Sequence, residues 1–318
     1  MGALTAYALS SRPFRQNVSE GGHPGALRAK GCPEPGSQDA GDSFSKALED
    51  MFKVKQHGPV TVFKMGRHVG KTILYPVHAF LVDETLIDSG TRRVGQAFSA
   101  EMEKRKITTL INTHHHEDHI GNNRLLQERF GVTVLAHPSA LPYLKKPTKL
   151  KLRRYQRLIW GWPEPSIGKP ISPSFTTGNF TLNVIPSPGH CIDHISLYEG
   201  SEGWLFTGDL FCGRGFKYLR SDEDYPTILA SLRQLANLDF DTIFCSLLGV
   251  VDHGKAALSR KIEVMERLEA YTLQLHRQGL SPRIIRKRLL GGEGVMRWVT
   301  GGHYAKQNTV DSILKGIL

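Results

Sequence analysis

The run Thr113-His114-His115-His116-Glu117-Asp118-His119-Ile120-Gly121-Asn122 puts four imidazoles and two carboxylates where an apolar strand pattern ends and a helix pattern begins. Alternate side chains of an extended chain share a face, so His114 and His116 can close on one metal ion. Asp118 and His119 follow where the chain turns, and can reach a second ion. His115 points to the far side of its two neighbours and is assigned a supporting role. The spacing H-x-H-x-D-H therefore reads as a set of metal ligands rather than as a solvated polar loop.

The elements around this run set the fold class. Short β-rich runs begin at Val60 (VTVFKMG, HAFLVDETLIDSG, KITTLINT), and RRVGQAFSAEMEKRK between the last two has helical apolar spacing at Val94, Phe98 and Met102. NRLLQERFG predicts a helix closed by Gly131, and VTVLAH a strand. Strands resume at FTLNVIPS, HISLYEG and GWLFTGD, then a helix TILASLRQLANL and the strand DTIFCSL. From about residue 256 the pattern is helical to the end. Residues 138–175 are proline-punctuated, basic and aromatic, and read as an insertion lying over the active site. These patterns predict a mixed α/β layered domain over 46–257 and a small C-terminal helical unit over 258–318. Residues 1–45, rich in Gly, Pro and Ser, read as a disordered leader.

Composition limits the function classes. With 40% hydrophobic and 22% charged residues in 318, the chain is built like an ordinary globular protein, and no apolar run is long enough to span a bilayer. Cys32, Cys191, Cys212 and Cys245 form no C-x-x-C pair or disulfide framework, which points to a reducing, cytoplasmic location. Arg12 and Arg15 in an acid-free start are compatible instead with a mitochondrial transit peptide. The net charge of +11 comes from two places: seven bases and no acid in 145–157, and twelve bases against five acids in 255–318. Such fields suit an anionic partner, a small metabolite or nucleic acid.

Three further segments, LIDSG, SPGHCIDHIS and LFTGDL, resemble motifs of the metallo-β-lactamase superfamily in order and spacing. The resemblance covers about Val60 to Ala257 and implies a four-layer αββα sandwich, with a C-terminal unit similar to a winged helix. It implies that Asp88 supports the metal loop without ligating. It further implies one site of His114, His116 and His190, with Asp209 shared, and a second of Asp118, His119 and Asp209. The cofactor implied is Zn²⁺, one or two ions per chain, with iron or manganese also compatible with His/Asp donors. Three neutral imidazoles and a carboxylate leave Zn²⁺ an open position, where water ionises near pH 7, and Asp118 accepts or orients its proton. His194 is expected to hydrogen-bond behind the ligands, and Cys191 and Cys212 to pack.

One position departs from the family pattern. The strand DTIFCS should lead to Gly-His-Gly, but an ungapped match puts Leu247 at the ligand position, and His253 can replace it only by folding back. The run DLFCGRGFKYL resembles the glyoxalase II type, whereas the tail and PGHCIDHISL resemble the β-lactamase-like endoribonucleases. The favoured expectation is a hydrolase of a small anionic ester or thioester, with Arg214, Lys217, Arg153 and Arg154 as candidate substrate contacts. A single-strand RNA endonuclease and a non-catalytic binding protein with a degenerate second site are the other two.

Overall fold

A computed structural model describes residues 52–315 except 70, 71 and 217. The segment expected to be a leader, with the candidate transit peptide, and Lys217 lie outside the described residues.

Seven strands form the first sheet in chain order: β1 (Phe52–His57), β2 (Val60–Val69), β3 (Thr72–Val82), β4 (Thr85–Ile87), β5 (Thr109–Ile111), β6 (Thr133–Ala136) and β7 (Gly168–Pro170). β1 to β4 pair antiparallel and β4 to β7 parallel. The second sheet has β8 (Ser174–Thr177), β9 (Phe180–Pro186), β10 (Ile195–Glu199) and β11 (Trp204–Phe206), followed in space by β13 (Thr242–Cys245) and β14 (Gly249–Val251). A two-residue ribbon joins β12 (Leu219–Arg220) to β15 (Tyr304–Ala305).

The sheets stack because their strands are apolar on both faces. β4 and β5 share the sequence Thr-Leu-Ile: Leu86 and Leu110 enter an outer core with Phe63, Phe98 and Met102, while Ile87 and Ile111 turn inward to Phe80, Phe206 and Phe244. Phe206 and Phe244 stack at 4.6 Å between the sheets, and Phe80 meets both edge-on. Helices Gly95–Met102 and Asn123–Phe130 cover the first sheet, the latter ending at Gly131 with φ +67°. Helices Tyr225–Ala236 and Gly254–Arg277 cover the second. The layers are therefore helix, sheet, sheet, helix.

The C-terminal helices Gly254–Arg277, Pro282–Leu290, Val295–Val299 and Lys306–Leu314 continue this packing. Ala257, Leu258, Met265 and Ile313 share one core with Leu205, Leu232 and Ile243, and Ile285, Val310 and Leu314 make a smaller core of their own. The 138–175 segment carries short helices at Leu141–Lys145 and Arg154–Ile159. No helix among the described residues is long and apolar enough to cross a membrane.

The chain after β13 fixes where His253 lies. Gly249–Val251 is a strand that runs back antiparallel along β13 with Gly249 opposite Cys245. His253 thus arrives at the far end of β13, its side chain 85% exposed and Nδ1 3.9 Å from Asp241. It does not fold back to replace Leu247.

Candidate metal centre

The candidate ligands sit at the ends of strands, on loops tied down from several sides. The loop after β5 is clamped to the segment after β4: Ser89 N donates to His119 O at 2.8 Å, Gly121 N to Gly90 O at 3.0 Å, and Asn122 Nδ2 to Ser89 O at 2.6 Å. Asp88, buried at φ +60°, accepts from Thr113 N and Thr113 Oγ1 at 2.8 Å each and from His119 Nδ1 at 2.7 Å. Its carboxylate ties the start of the loop to its end.

His190 follows the turn Pro188-Gly189 after β9. Gly189 has φ +124°, and a Cβ there would run into the backbone of Ile228, so only glycine brings the turn this close to helix Tyr225–Ala236. Gly189→Ala should therefore unseat His190. We expect a loss of about 1–3 kcal/mol in thermal denaturation, together with weaker metal retention. Unchanged melting and metal content would show that the turn adapts freely.

The donors converge on two groups. One nitrogen from each of His114, His116 and His190 lies within 4.8 Å of the others, and so do donor atoms of His114, His119 and Asp209. His190 Nε2 faces His116 Nδ1 at 2.9 Å and Asp209 Oδ2 at 3.6 Å, while His119 Nε2 is 3.5 Å from Asp209 Oδ1. Asp118 is outside both tight groups, with Oδ1 3.9 Å from His119 Nε2, and lines the adjoining cavity.

The outer ring atoms are held. Glu223 Oε1 lies 2.5 Å from His190 Nδ1, and Thr113 Oγ1, having given its proton to Asp88, accepts from His114 Nδ1 at 3.0 Å. These contacts turn the bare nitrogens inward. His114 Nε2, His119 Nε2 and Asp209 Oδ1 are buried with no hydrogen-bond partner, a costly arrangement for a chain alone and a fitting one for a divalent ion. Burial, followed by the neighbouring imidazoles, holds His114 well below the usual histidine range. Burial and then the Arg220 guanidinium do the same for His116. Both are thereby kept in the neutral, ligating form. Burial opposes charge on His119, but Asp88, Asp209 and Asp118 outweigh it and hold its pKa well above the ordinary value. Burial lifts Asp118 to about 7.

His194, like His115, supports from behind: its Nε2 accepts from Asp209 N at 3.2 Å and its Nδ1 meets Ser187 Oγ at 2.9 Å. His115 Nδ1 lies 2.5 Å from Asp193 and its ring stacks on Tyr143 at 4.2 Å. Cys212 Sγ donates to Asp209 O.

A cavity of about 480 Å³ opens beside these groups, lined by Asp118, His190, Asp209 and Leu247 and walled by Tyr155, Gln156, Ile159 and Trp160 of the 138–175 segment. Ser246 N donates to Gly208 O at 3.2 Å, which seats Leu247 next to Asp209. Three of the predicted basic contacts, Arg153, Arg154 and Arg214, lie elsewhere. Arg153 and Arg154 are exposed, and Arg153 Nη1 points to Thr300 O at 3.4 Å, so neither lines the cavity. Arg214 is exposed and absent from the lining too. The lysine and arginine side chains on the described wall are Lys261 and Arg220, both missed in the sequence because no spacing or motif marks them. Glu223 was missed for the same reason.

Comparison with known proteins agrees with this arrangement. The metallo-beta-lactamase superfamily profile matches residues 73–246. Hydroxyacylglutathione hydrolases of Brucella ovis and Brucella abortus are 32% identical over 192 residues, 55% of this chain and 65% of theirs, so the chain spans about two-thirds of their length. A metallo-beta-lactamase family protein from Thermus thermophilus aligns over 80% of this chain and 93% of its own, at 18% identity and a TM-score of 0.58. A metallo-beta-lactamase from Pontibacter korlensis aligns over 68% and 99%, at 18% identity and a TM-score of 0.54. At that identity the structural likeness speaks to fold alone.

Proposed function

Because the chain belongs to the metallo-beta-lactamase superfamily, we propose that it is a metal-dependent hydrolase of small anionic thioesters or esters. The observation that carries the reading is the convergence of buried donor atoms of His114, His116 and His190, with Asp209 next to them, beside a cavity of substrate size. The ester or thioester preference draws on the relatives, which are named for hydrolysing hydroxyacylglutathione.

In this reading His114, His116 and His190 hold the ion, with Asp209 beside them. Zinc suits the donors, as do iron and manganese. A divalent ion, when bound, supplies Lewis acidity and makes a coordinated water acidic near neutral pH. The chain supplies the rest. Glu223 and Thr113 fix the rings of His190 and His114, and Asp118 takes or orients the proton of the attacking water from the cavity side. The aromatic wall of Tyr155 and Trp160 limits bulk water around the reacting carbonyl.

Leu247 makes the second group incomplete, since a leucine offers no donor and His253 is remote. The purified protein should hold nearer one tight metal than two, and Leu247→His should raise the stoichiometry toward two by elemental analysis. Two tight metals in the wild type would contradict this. The substrate class is tested by presenting the metal-loaded protein with an acyl-glutathione thioester, a lactone and a short single-stranded RNA. Thioester turnover well above the other two is expected. RNA cleavage without thioester turnover would replace the reading with the nuclease one.

A further inference from the structure

Lys261, in the middle of helix Gly254–Arg277, is only 2% exposed. Its Nζ donates to Gly213 O at 3.2 Å and lies 5.3 Å from the ring centre of Phe216 and 5.8 Å from that of Phe211. Among the described residues it forms no ion pair and no second hydrogen bond. An ammonium has three donors, and burying one without a carboxylate is costly unless something else supplies the missing partner. Aromatic faces offset only part of that cost.

The side chain lines the same cavity as Asp118, Asp209 and Leu247. The lining guanidinium is already committed: Arg220 Nε and Nη2 are taken by Asp222 at 3.0 and 2.8 Å, and its Nη1 faces His116 Nδ1 at 3.3 Å. Lys261 is therefore the described cation on this wall with donors to spare. Phe216 and Phe211 flank its Nζ, the carboxylates of Glu117, Asp118, Asp209 and Glu223 also line the cavity, and Tyr155, Trp160 and Val299 supply apolar wall elsewhere in it. A cavity with one uncommitted buried cation and an apolar wall fits a ligand with one anionic end and an apolar body.

We propose that Lys261 binds the anionic end of the substrate, so that the preferred substrate is an ester or thioester with an apolar body and a single terminal carboxylate. This rests on the hydrolase reading above and adds to it the side of the cavity where charge is recognised. The same placement explains why Arg153 and Arg154 are not needed for charge selection.

The test compares two 4-nitrophenyl esters of matched length on the metal-loaded protein: the butyrate ester, which is neutral, and the mono-glutarate ester, which carries a carboxylate. For Lys261→Met, the ratio of kcat/KM for the anionic over the neutral ester should fall about ten- to hundredfold through KM, the scale of one charge-assisted hydrogen bond. Lys261→Arg should recover part of that ratio. Lys261→Met should melt no lower than wild type, because it removes an unpaired buried charge. An equal change for both esters, or an unchanged ratio in a folded variant, would overturn the proposal. If the wild type hydrolyses neither ester, the hydrolase reading fails separately. Calorimetric titration with 4-phenylbutyrate and its neutral amide then decides about Lys261. Selective loss of carboxylate affinity in Lys261→Met supports the assignment, and equal affinities in both proteins reject it.

Discussion

His116→Ala is expected to leave the purified protein without tightly bound metal and to cut hydrolysis roughly a thousandfold or more. Of the three imidazoles that meet, His116 presents Nδ1 toward His190 Nε2 at 2.9 Å, and burial keeps it neutral and able to ligate. Two imidazoles and a shared carboxylate are a poor site for a divalent ion. Losing the ion forfeits several kcal/mol of transition-state stabilisation, and about 4 kcal/mol is already a thousandfold. Elemental analysis beside turnover checks both halves. A variant with full metal and wild-type rate would refute the assignment of His116.

Asp88→Ala should have the largest effect on stability, about 3–5 kcal/mol, which for a chain of this size lowers the melting temperature by roughly 10 °C. The buried carboxylate accepts three hydrogen bonds, from Thr113 N, Thr113 Oγ1 and His119 Nδ1. Alanine leaves a buried backbone N–H without its acceptor and His119 Nδ1 without the carboxylate that fixes its ring. It also sits poorly at φ +60°, which asparagine tolerates better. Asp88→Asn should therefore cost less. Thermal denaturation of both variants checks the order, and an Asp88→Ala protein melting within about 2 °C of wild type would contradict it.

How much of this could be read from residues alone depended on how local the signal was. The loop ligands announce themselves because four sit within six positions at a strand end, and both sheets are visible as short apolar runs. His190, Asp209 and Asp88 came through resemblance of motifs, since nothing in their own surroundings marks them as partners of a loop tens of residues away. Lys261, Arg220 and Glu223 were invisible, for a single buried charge on an amphipathic helix, a two-residue strand or a loop looks in sequence like any surface charge. The base-rich 145–157 segment misled for the opposite reason. Its charge is real, but the orientation of helix Arg154–Ile159 turns Tyr155, Gln156 and Ile159 to the cavity and leaves Arg154 in solvent. Whether His253 folds back stayed open in the sequence because Gly249–Val251 is too short to register as a strand, yet its pairing reverses the chain and carries residue 253 away.

One ion held by His114, His116 and His190 beside an incomplete second group is the centre of the proposed chemistry. Titrating Zn²⁺ into chelator-stripped protein while following hydrolysis of an acyl-glutathione thioester tests it most directly. The account predicts negligible turnover without metal, rising to its plateau at close to one equivalent. Full turnover in the stripped protein, or a plateau reached only at two equivalents, would contradict it.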